Sequence, residues 1–64
     1  MRIGRIISLP NEYSQYGRIL DRSGSAYTIE KGEIPKGAEV DDEYAYKVEL
    51  YGNDSGLAYA LKEE

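Results

Sequence analysis

One acidic segment is the only dense cluster in the sequence of side chains that could take part in acid–base or metal chemistry. Asp41, Asp42 and Glu43 are consecutive, and Glu39 lies two residues earlier. A calcium-binding loop needs ligands at alternating positions, a central glycine and a terminal glutamate, and this segment lacks that spacing. We interpret it as a solvated turn before a strand, and we predict no metal site.

Nucleophilic catalysis is not expected, because the chain has no histidine and no cysteine. In a catalytic triad, a serine is activated by a neighbouring base, usually a histidine, which an aspartate orients. Without histidine, the serines and aspartates of this chain cannot form such a triad. Without cysteine the chain cannot form disulfides, and without cysteine and histidine it lacks the common zinc ligands. Residues 52–56 are flanked by glycines but lack the Gly-Lys-Ser/Thr ending of a phosphate-binding loop. The sequence therefore predicts a protein that is not an enzyme and has no cofactor.

Length and charge limit the number of domains and the kinds of partner that this chain can have. We expect a single domain over residues 1–64, which at this size has room for one small core. No run approaches the roughly 20 apolar residues of a membrane span, so we expect a cytoplasmic protein with no membrane partner. The net charge is −4, but residues 1–22 carry four arginines against two acids, and residues 23–64 carry four lysines against ten acids. The basic charge is therefore concentrated near the start.

The elements that must position any site are strands, because Gly or Pro interrupts nearly every window long enough for a helix. A break at Pro10-Asn11 and a turn at residues 23–25 separate three of these strands. Alternating apolar residues mark a fourth strand, a glycine-rich turn at 52–56 precedes the fifth, and the connection from Lys31 to Asp42 should be irregular or contain one helical turn. The predicted strands are 2–9, 16–21, 26–29, 44–51 and 57–61.

This pattern predicts an all-β fold, a five-stranded antiparallel Greek-key barrel of the oligonucleotide-binding (OB-fold) type, with an SH3-like barrel as the main competitor. The chain has seven tyrosines and no Phe or Trp. We expect Tyr27, Tyr44, Tyr46 and Tyr59 to bury their rings in the barrel and to leave their hydroxyls at its rim. On the second strand, alternation should turn Gly17 inward, where a small residue relieves crowding.

The first third of the chain resembles the cold-shock domain, whose opening reads Gly-x-Val-Lys-Trp-Phe-Asn-x-x-Lys-Gly-Phe-Gly-Phe-Ile. Tyr16 stands for the first Phe of that family's ribonucleoprotein motif, and Arg18 stands for the second. The resemblance continues through the rest of the chain in shorter pieces. The matching positions are Gly4, Ile6, Asn11, Gly17, Ile19, Gly24, Ile34 and Gly56-Leu57-Ala58.

The resemblance implies a small barrel that binds single-stranded RNA or DNA, with Tyr16 facing outward and stacking on a base. A guanidinium plane also stacks on bases and hydrogen-bonds phosphate, so Arg18 can serve the same ligand. Tyr13, in the preceding turn, either extends this platform or folds over the barrel end to cover apolar surface. Arg5, on the first strand, is a candidate for phosphate contact.

Two departures from the family pattern affect the expected function. In the second ribonucleoprotein motif, Thr28 replaces a stacking Phe and Glu30 replaces a His. Fewer aromatic rings and an added carboxylate predict weak binding, and they are also compatible with altered specificity or complete loss of nucleic-acid binding. The alternative is a protein-interaction module that kept the barrel, lost nucleic-acid binding and presents its acidic second half to a basic partner. A third possibility is an accessory protein that acts within a larger assembly.

Overall fold

Five strands and one short helical turn make up the structure, a computed structural model that describes residues 2–52 and 55–63. Each predicted strand is present, with its ends within two residues of the predicted ones. The connection between the third and fourth strands is irregular apart from the helical turn, as expected. Asn53 and Asp54 of the predicted last turn lie outside the described residues. The elements are β1 (Arg2–Ser8), β2 (Tyr16–Asp21), β3 (Ala26–Glu30), a 3-10 turn (Lys31–Glu33), β4 (Glu43–Leu50) and β5 (Gly56–Glu63).

The strands form one sheet that closes into a ring. Their order is β1-β2-β3-β5-β4, and β4 pairs back onto β1. Consecutive strands are neighbours except at β3, from which the chain crosses to β4 before β5 returns to β3. The predicted all-β fold is confirmed at this level.

One pairing in the ring is parallel, which corrects the prediction of a fully antiparallel barrel. Thr28 pairs with Leu57 and Ile29 with Ala58 in a parallel β3–β5 ladder, whereas the other four ladders are antiparallel. Strand direction must reverse at each antiparallel pairing, so a closed ring with an odd number of strands needs at least one parallel pair. Five strands can therefore close only in a mixed sheet.

The core lies inside the ring and combines aliphatic and tyrosine side chains. Tyr27, Tyr44 and Tyr46 are buried there, as predicted. The prediction for Tyr59 was wrong, because this side chain is 39% exposed on the outer face. β5 turns two small residues, Gly56 and Ala58, inward instead, and a Cβ on Gly56 would lie 2.9 Å from Val48 Cγ1. The other buried hydrophobic residues are Ile6, Ile19 and Ile29.

The hydroxyl of Tyr46 is also not where it was expected. It is buried rather than at the rim, and it has no hydrogen-bond partner among the described residues. The ring packs edge-on against Tyr27, with 6.2 Å between ring centroids. Burial raises the pKa of Tyr46 to about 12. Tyr44, two residues earlier on the same side of β4, differs because the Asp42 carboxylate lies near its hydroxyl, so that burial and then the Asp42 charge raise the pKa of Tyr44.

A bulge bends β5 near its end. The register with β4 shifts between Ala45 and Lys47, so that Ala60 and Leu61 together face one residue of β4. Ala60 has φ of 55°, in the left-handed region that suits glycine. Its backbone N–H donates a hydrogen bond to Glu33 Oε1 at 3.1 Å, which ties the bulge to the 3-10 turn.

Candidate functional site

The outer face of β2 presents an aromatic ring and a guanidinium side by side. Tyr16 is 48% exposed and Arg18 is also exposed. Gly17, which lies between them, and Ile19, which follows Arg18, are buried. The predicted alternation of β2 is confirmed. Side chains two residues apart on a strand share a face, so both groups are available to one ligand.

Gly17 allows β2 to lie close to its neighbours beneath this face. A Cβ at this position would lie 3.0 Å from Ile34 Cδ1 and 3.1 Å from the Ser8 carbonyl oxygen. Those distances are shorter than an ordinary van der Waals contact, so a larger residue would push β2 away from β1 and from Ile34. The glycine thus has the steric role that the sequence predicted, and it fixes how Tyr16 and Arg18 are presented.

Tyr16 and Arg18 line a cleft of about 290 Å³ between β2 and the chain segment that follows β1. Thr28 pairs with Arg18 from β3, and Ser8 pairs with it from β1. The walls therefore combine a ring, hydroxyl groups and a guanidinium, groups that can stack on or hydrogen-bond a planar polar ligand. The other residues of the lining, none of which was predicted to bind a ligand, are Leu9, Asn11 and Ser14.

A turn built on Asn11 forms the rim of this cleft. The side-chain oxygen of Asn11 accepts hydrogen bonds from the backbone N–H groups of Tyr13, at 2.7 Å, and Ser14, at 3.0 Å. The Asn11 N–H in turn donates to the Ser14 carbonyl oxygen at 2.8 Å. Tyr13 projects from this turn with 89% of its surface exposed. It does not fold over the barrel end, which was one of the two expectations for this residue.

The arginines differ in what they contact. Arg2, Arg5 and Arg22 each have a carboxylate oxygen within 3.4 Å. No carboxylate among residues 2–52 and 55–63 forms an ion pair with Arg18. A phosphate could therefore approach Arg18 without displacing an acidic partner.

Arg5 does not join the cleft. It lies opposite Leu20 in the β1–β2 ladder, which places it on the outer face of the sheet. Its guanidinium donates a hydrogen bond to Asp41 Oδ1 at 3.1 Å, and it is absent from the described lining of the cleft. The structure thus brings Tyr16 and Arg18 together, sets Tyr13 close by in the rim turn, and directs Arg5 toward the acidic segment.

A second, acidic groove lies beyond β3. It has a volume of about 280 Å³ and is lined by Glu30, Glu33 and Glu49 with Tyr59 over apolar Leu57 and Ala58. The sequence pointed to Glu30 but did not predict this groove, because its carboxylates come from β3, the 3-10 turn and β4. Only the closure of β5 between β3 and β4 brings them together.

The shifted pKa values belong to groups outside the cleft. The Ser23 hydroxyl, which donates to Asp21 Oδ1 at 2.7 Å, lowers the pKa of the Asp21 carboxyl below 3.8, and the backbone N–H groups of Ser25 and Ser23 act in the same direction. Asp21 thereby organises the β2–β3 turn. Over the described residues, no cluster of three or more acidic side chains has an arrangement that could hold a metal ion. Nor does any helix within that part of the chain have the length and apolar character needed to cross a membrane.

Comparison of the chain with protein families, with curated proteins and with solved structures found no match. The cleft and the acidic groove are therefore interpreted from their own geometry and chemistry.

Proposed function

We propose that the protein binds single-stranded RNA or DNA weakly, with Tyr16 stacking on a base and Arg18 contacting the adjacent phosphate or base. The observation that carries this proposal is the exposure of both side chains on one cleft, with the guanidinium of Arg18 free of any described ion pair. A base on an exposed ring contributes about 1–3 kcal/mol without requiring a particular sequence. A cytoplasmic location is part of this proposal.

The proposal includes a fold type, the OB-fold barrel of the cold-shock-like kind. Support comes from the ring order β1-β2-β3-β5-β4 and from the crossing after β3, which suit a Greek-key path. In OB-folds the face formed by the second and third strands binds oligonucleotides. Tyr16 and Arg18 on β2 and Thr28 on β3 occupy that face here.

Tyr13 and Arg5 have secondary parts in this proposal. Tyr13 is exposed in the rim turn, so a strand that leaves Tyr16 could place its next base on the Tyr13 ring. Arg5 contributes to phosphate attraction only at the expense of its contact with Asp41. One or two basic side chains, Arg18 and in part Arg5, thus act on the ligand, against a net charge of −4.

The dependence of affinity on salt tests this proposal. On single strands each neutralised phosphate contributes about 0.7 to the slope of log K against log salt, so one or two contacts predict a slope of about −0.7 to −1.4. Fluorescence anisotropy with a labelled short oligonucleotide measures this slope. Tight binding with a slope steeper than about −4 would mean that another, more basic surface binds the nucleic acid.

The acidic groove favours a second candidate function, the binding of a basic protein segment. Its three carboxylates and the half-exposed ring of Tyr59 could receive a lysine or arginine side chain. Titration with a short arginine-rich peptide, followed by backbone amide shifts, tests this candidate. Two results together would favour this candidate over nucleic-acid binding. The peptide should shift only the amides around Glu30, Glu33, Glu49 and Tyr59, and an oligonucleotide should cause no shifts around Tyr16.

A further inference from the structure

Glu30 is the residue of β3 that lies directly opposite Tyr16. The β2–β3 ladder pairs the two residues, and both side chains are exposed. Residues opposite each other on antiparallel strands share a face, with Cβ atoms about 5 Å apart. A flat ligand lying on the Tyr16 ring would therefore have one edge within reach of the Glu30 carboxylate.

The charges around Tyr16 orient such a ligand. On one side Arg18 offers, within the cleft, a guanidinium that forms no ion pair with any described residue. On the other side Glu30 borders the acidic groove with Glu33 and Glu49, and it has no ion pair within the described chain. A phosphate is attracted to Arg18 and repelled by the groove, so the sugar–phosphate backbone belongs on the Arg18 side. The base edge farthest from the sugar then points toward Glu30.

An ionised carboxylate accepts hydrogen bonds and donates none. Cytosine carries an amino donor at position 4, whereas uracil and thymine carry a carbonyl oxygen there, and a carboxylate accepts from the cytosine amino group. Building on the proposed function, we propose that Glu30 selects the base stacked on Tyr16, favouring cytosine over uracil or thymine. Oxygen-to-oxygen repulsion disfavours the carbonyl bases, and the hydrogen bond to the amino group favours cytosine.

Oligodeoxycytidine and oligodeoxyuridine of equal length test this selection, because their bases have the same ring size and differ only at position 4 and in the proton on the adjacent N3. Affinities are measured by fluorescence anisotropy at neutral pH for the wild type, Glu30→Gln and Glu49→Gln. Glu49→Gln is the matched control, since it removes the same charge from the same groove on β4, away from Tyr16. Loss of either charge should raise affinity for both ligands, so the cytosine-to-uracil ratio is the informative quantity.

We expect the wild type to bind the cytidine oligomer about fivefold more tightly than the uridine oligomer. In Glu30→Gln the ratio should fall close to one, because a carboxamide both donates and accepts, and in Glu49→Gln it should stay as in the wild type. An unchanged ratio in Glu30→Gln, or equal wild-type affinities for the two oligomers, overturns the selection by Glu30 and leaves the proposed function standing. Failure of both oligomers to bind the wild type overturns the proposed function, and this inference with it.

Discussion

The hydroxyl groups of Tyr44 and Tyr46 provide a matched test of the core. Both side chains point inward from β4, and both are at least 95% buried, with exposures of 5% and 1%. The Tyr44 hydroxyl lies near the Asp42 carboxylate, whose charge acts on it, whereas the Tyr46 hydroxyl has no partner among the described residues. The same substitution, tyrosine to phenylalanine, should therefore change the free energy of unfolding in opposite directions at the two positions.

The expected magnitudes follow from the cost of burying a polar group. A buried hydroxyl without a partner costs about 1–3 kcal/mol, and its removal also loses a few dispersion contacts, so Tyr46→Phe should stabilise the protein by about 1 kcal/mol. Tyr44→Phe loses a favourable polar contact with the Asp42 carboxylate and should destabilise it by about 1 kcal/mol. For a domain of this size, 1 kcal/mol shifts the melting temperature by about 4–8 °C.

Thermal and urea unfolding of the wild type and the two variants measure these changes. Circular dichroism of the folded variants shows whether the sheet is retained, so that a difference in stability is not mistaken for a different fold. We expect Tm to rise in Tyr46→Phe and to fall in Tyr44→Phe. A loss of stability in Tyr46→Phe equal to that in Tyr44→Phe would refute the reasoning, because it would mean that the Tyr46 hydroxyl makes a favourable contact.

Alkaline solution gives a second measure of the same group. The pKa of Tyr46 is raised from 10.0 to about 12, because burial disfavours the ionised form in the folded state. The wild type should therefore have its full stability below pH 10.0 and lose stability as the pH rises from 10.0 to about 12, where only the unfolded state releases this proton. Tyr46→Phe should therefore lose less stability than the wild type between those pH values. Urea unfolding at a series of alkaline pH values checks this expectation.

The remaining predictions concern the bulge, the β2–β3 turn and the cleft. Ala60→Gly should stabilise the protein by about 0.5–1 kcal/mol, because glycine adopts the positive φ of this position without strain; urea unfolding measures it, and a loss of stability would contradict it. Asp21→Asn should destabilise the protein by about 2 kcal/mol at neutral pH. Because the pKa of Asp21 is lowered, the difference from the wild type should shrink as the pH falls below 3.8, and a constant difference would argue against a charged Asp21. Arg18→Ala should make the salt slope of oligonucleotide binding shallower by about 0.7, whereas an unchanged slope would exclude phosphate contact by this residue.

The strands were predictable because their signals are local. Tyr44, Tyr46 and Val48 alternate with more polar residues, and the glycine and proline breaks that bound the strands are visible in the sequence. The outward positions of Tyr16 and Arg18 followed from the same alternation once Gly17 was assigned to the inner side. The two-residue period of the side chains and the turn-forming residues thus predicted which residues share a face within a single strand.

Features that depend on contacts between strands could not be read in this way. Tyr59 faces outward because Gly56 and Ala58 fit the narrow interior beside Val48, a constraint set by the opposite strand. The bulge at Ala60 and the ion pair that draws Arg5 to Asp41 also join residues far apart in the chain. These features depend on the register between strands and on the closure of the ring. The alternation of apolar and polar residues within one strand does not predict either.

Backbone amide chemical shifts, recorded while a short single-stranded oligonucleotide is added, test the central claim most directly. In the wild type, the largest shifts should fall on β2 and on the turn formed by residues 11–14. Tyr16→Ala should weaken binding by about 1–3 kcal/mol with little change in Tm, because the ring is 48% exposed. Tyr59→Ala, which removes a comparably exposed ring from the acidic groove, should leave oligonucleotide affinity nearly unchanged. Equal affinities of Tyr16→Ala and the wild type, or the absence of localised shifts at millimolar oligonucleotide, would contradict nucleic-acid binding through this cleft.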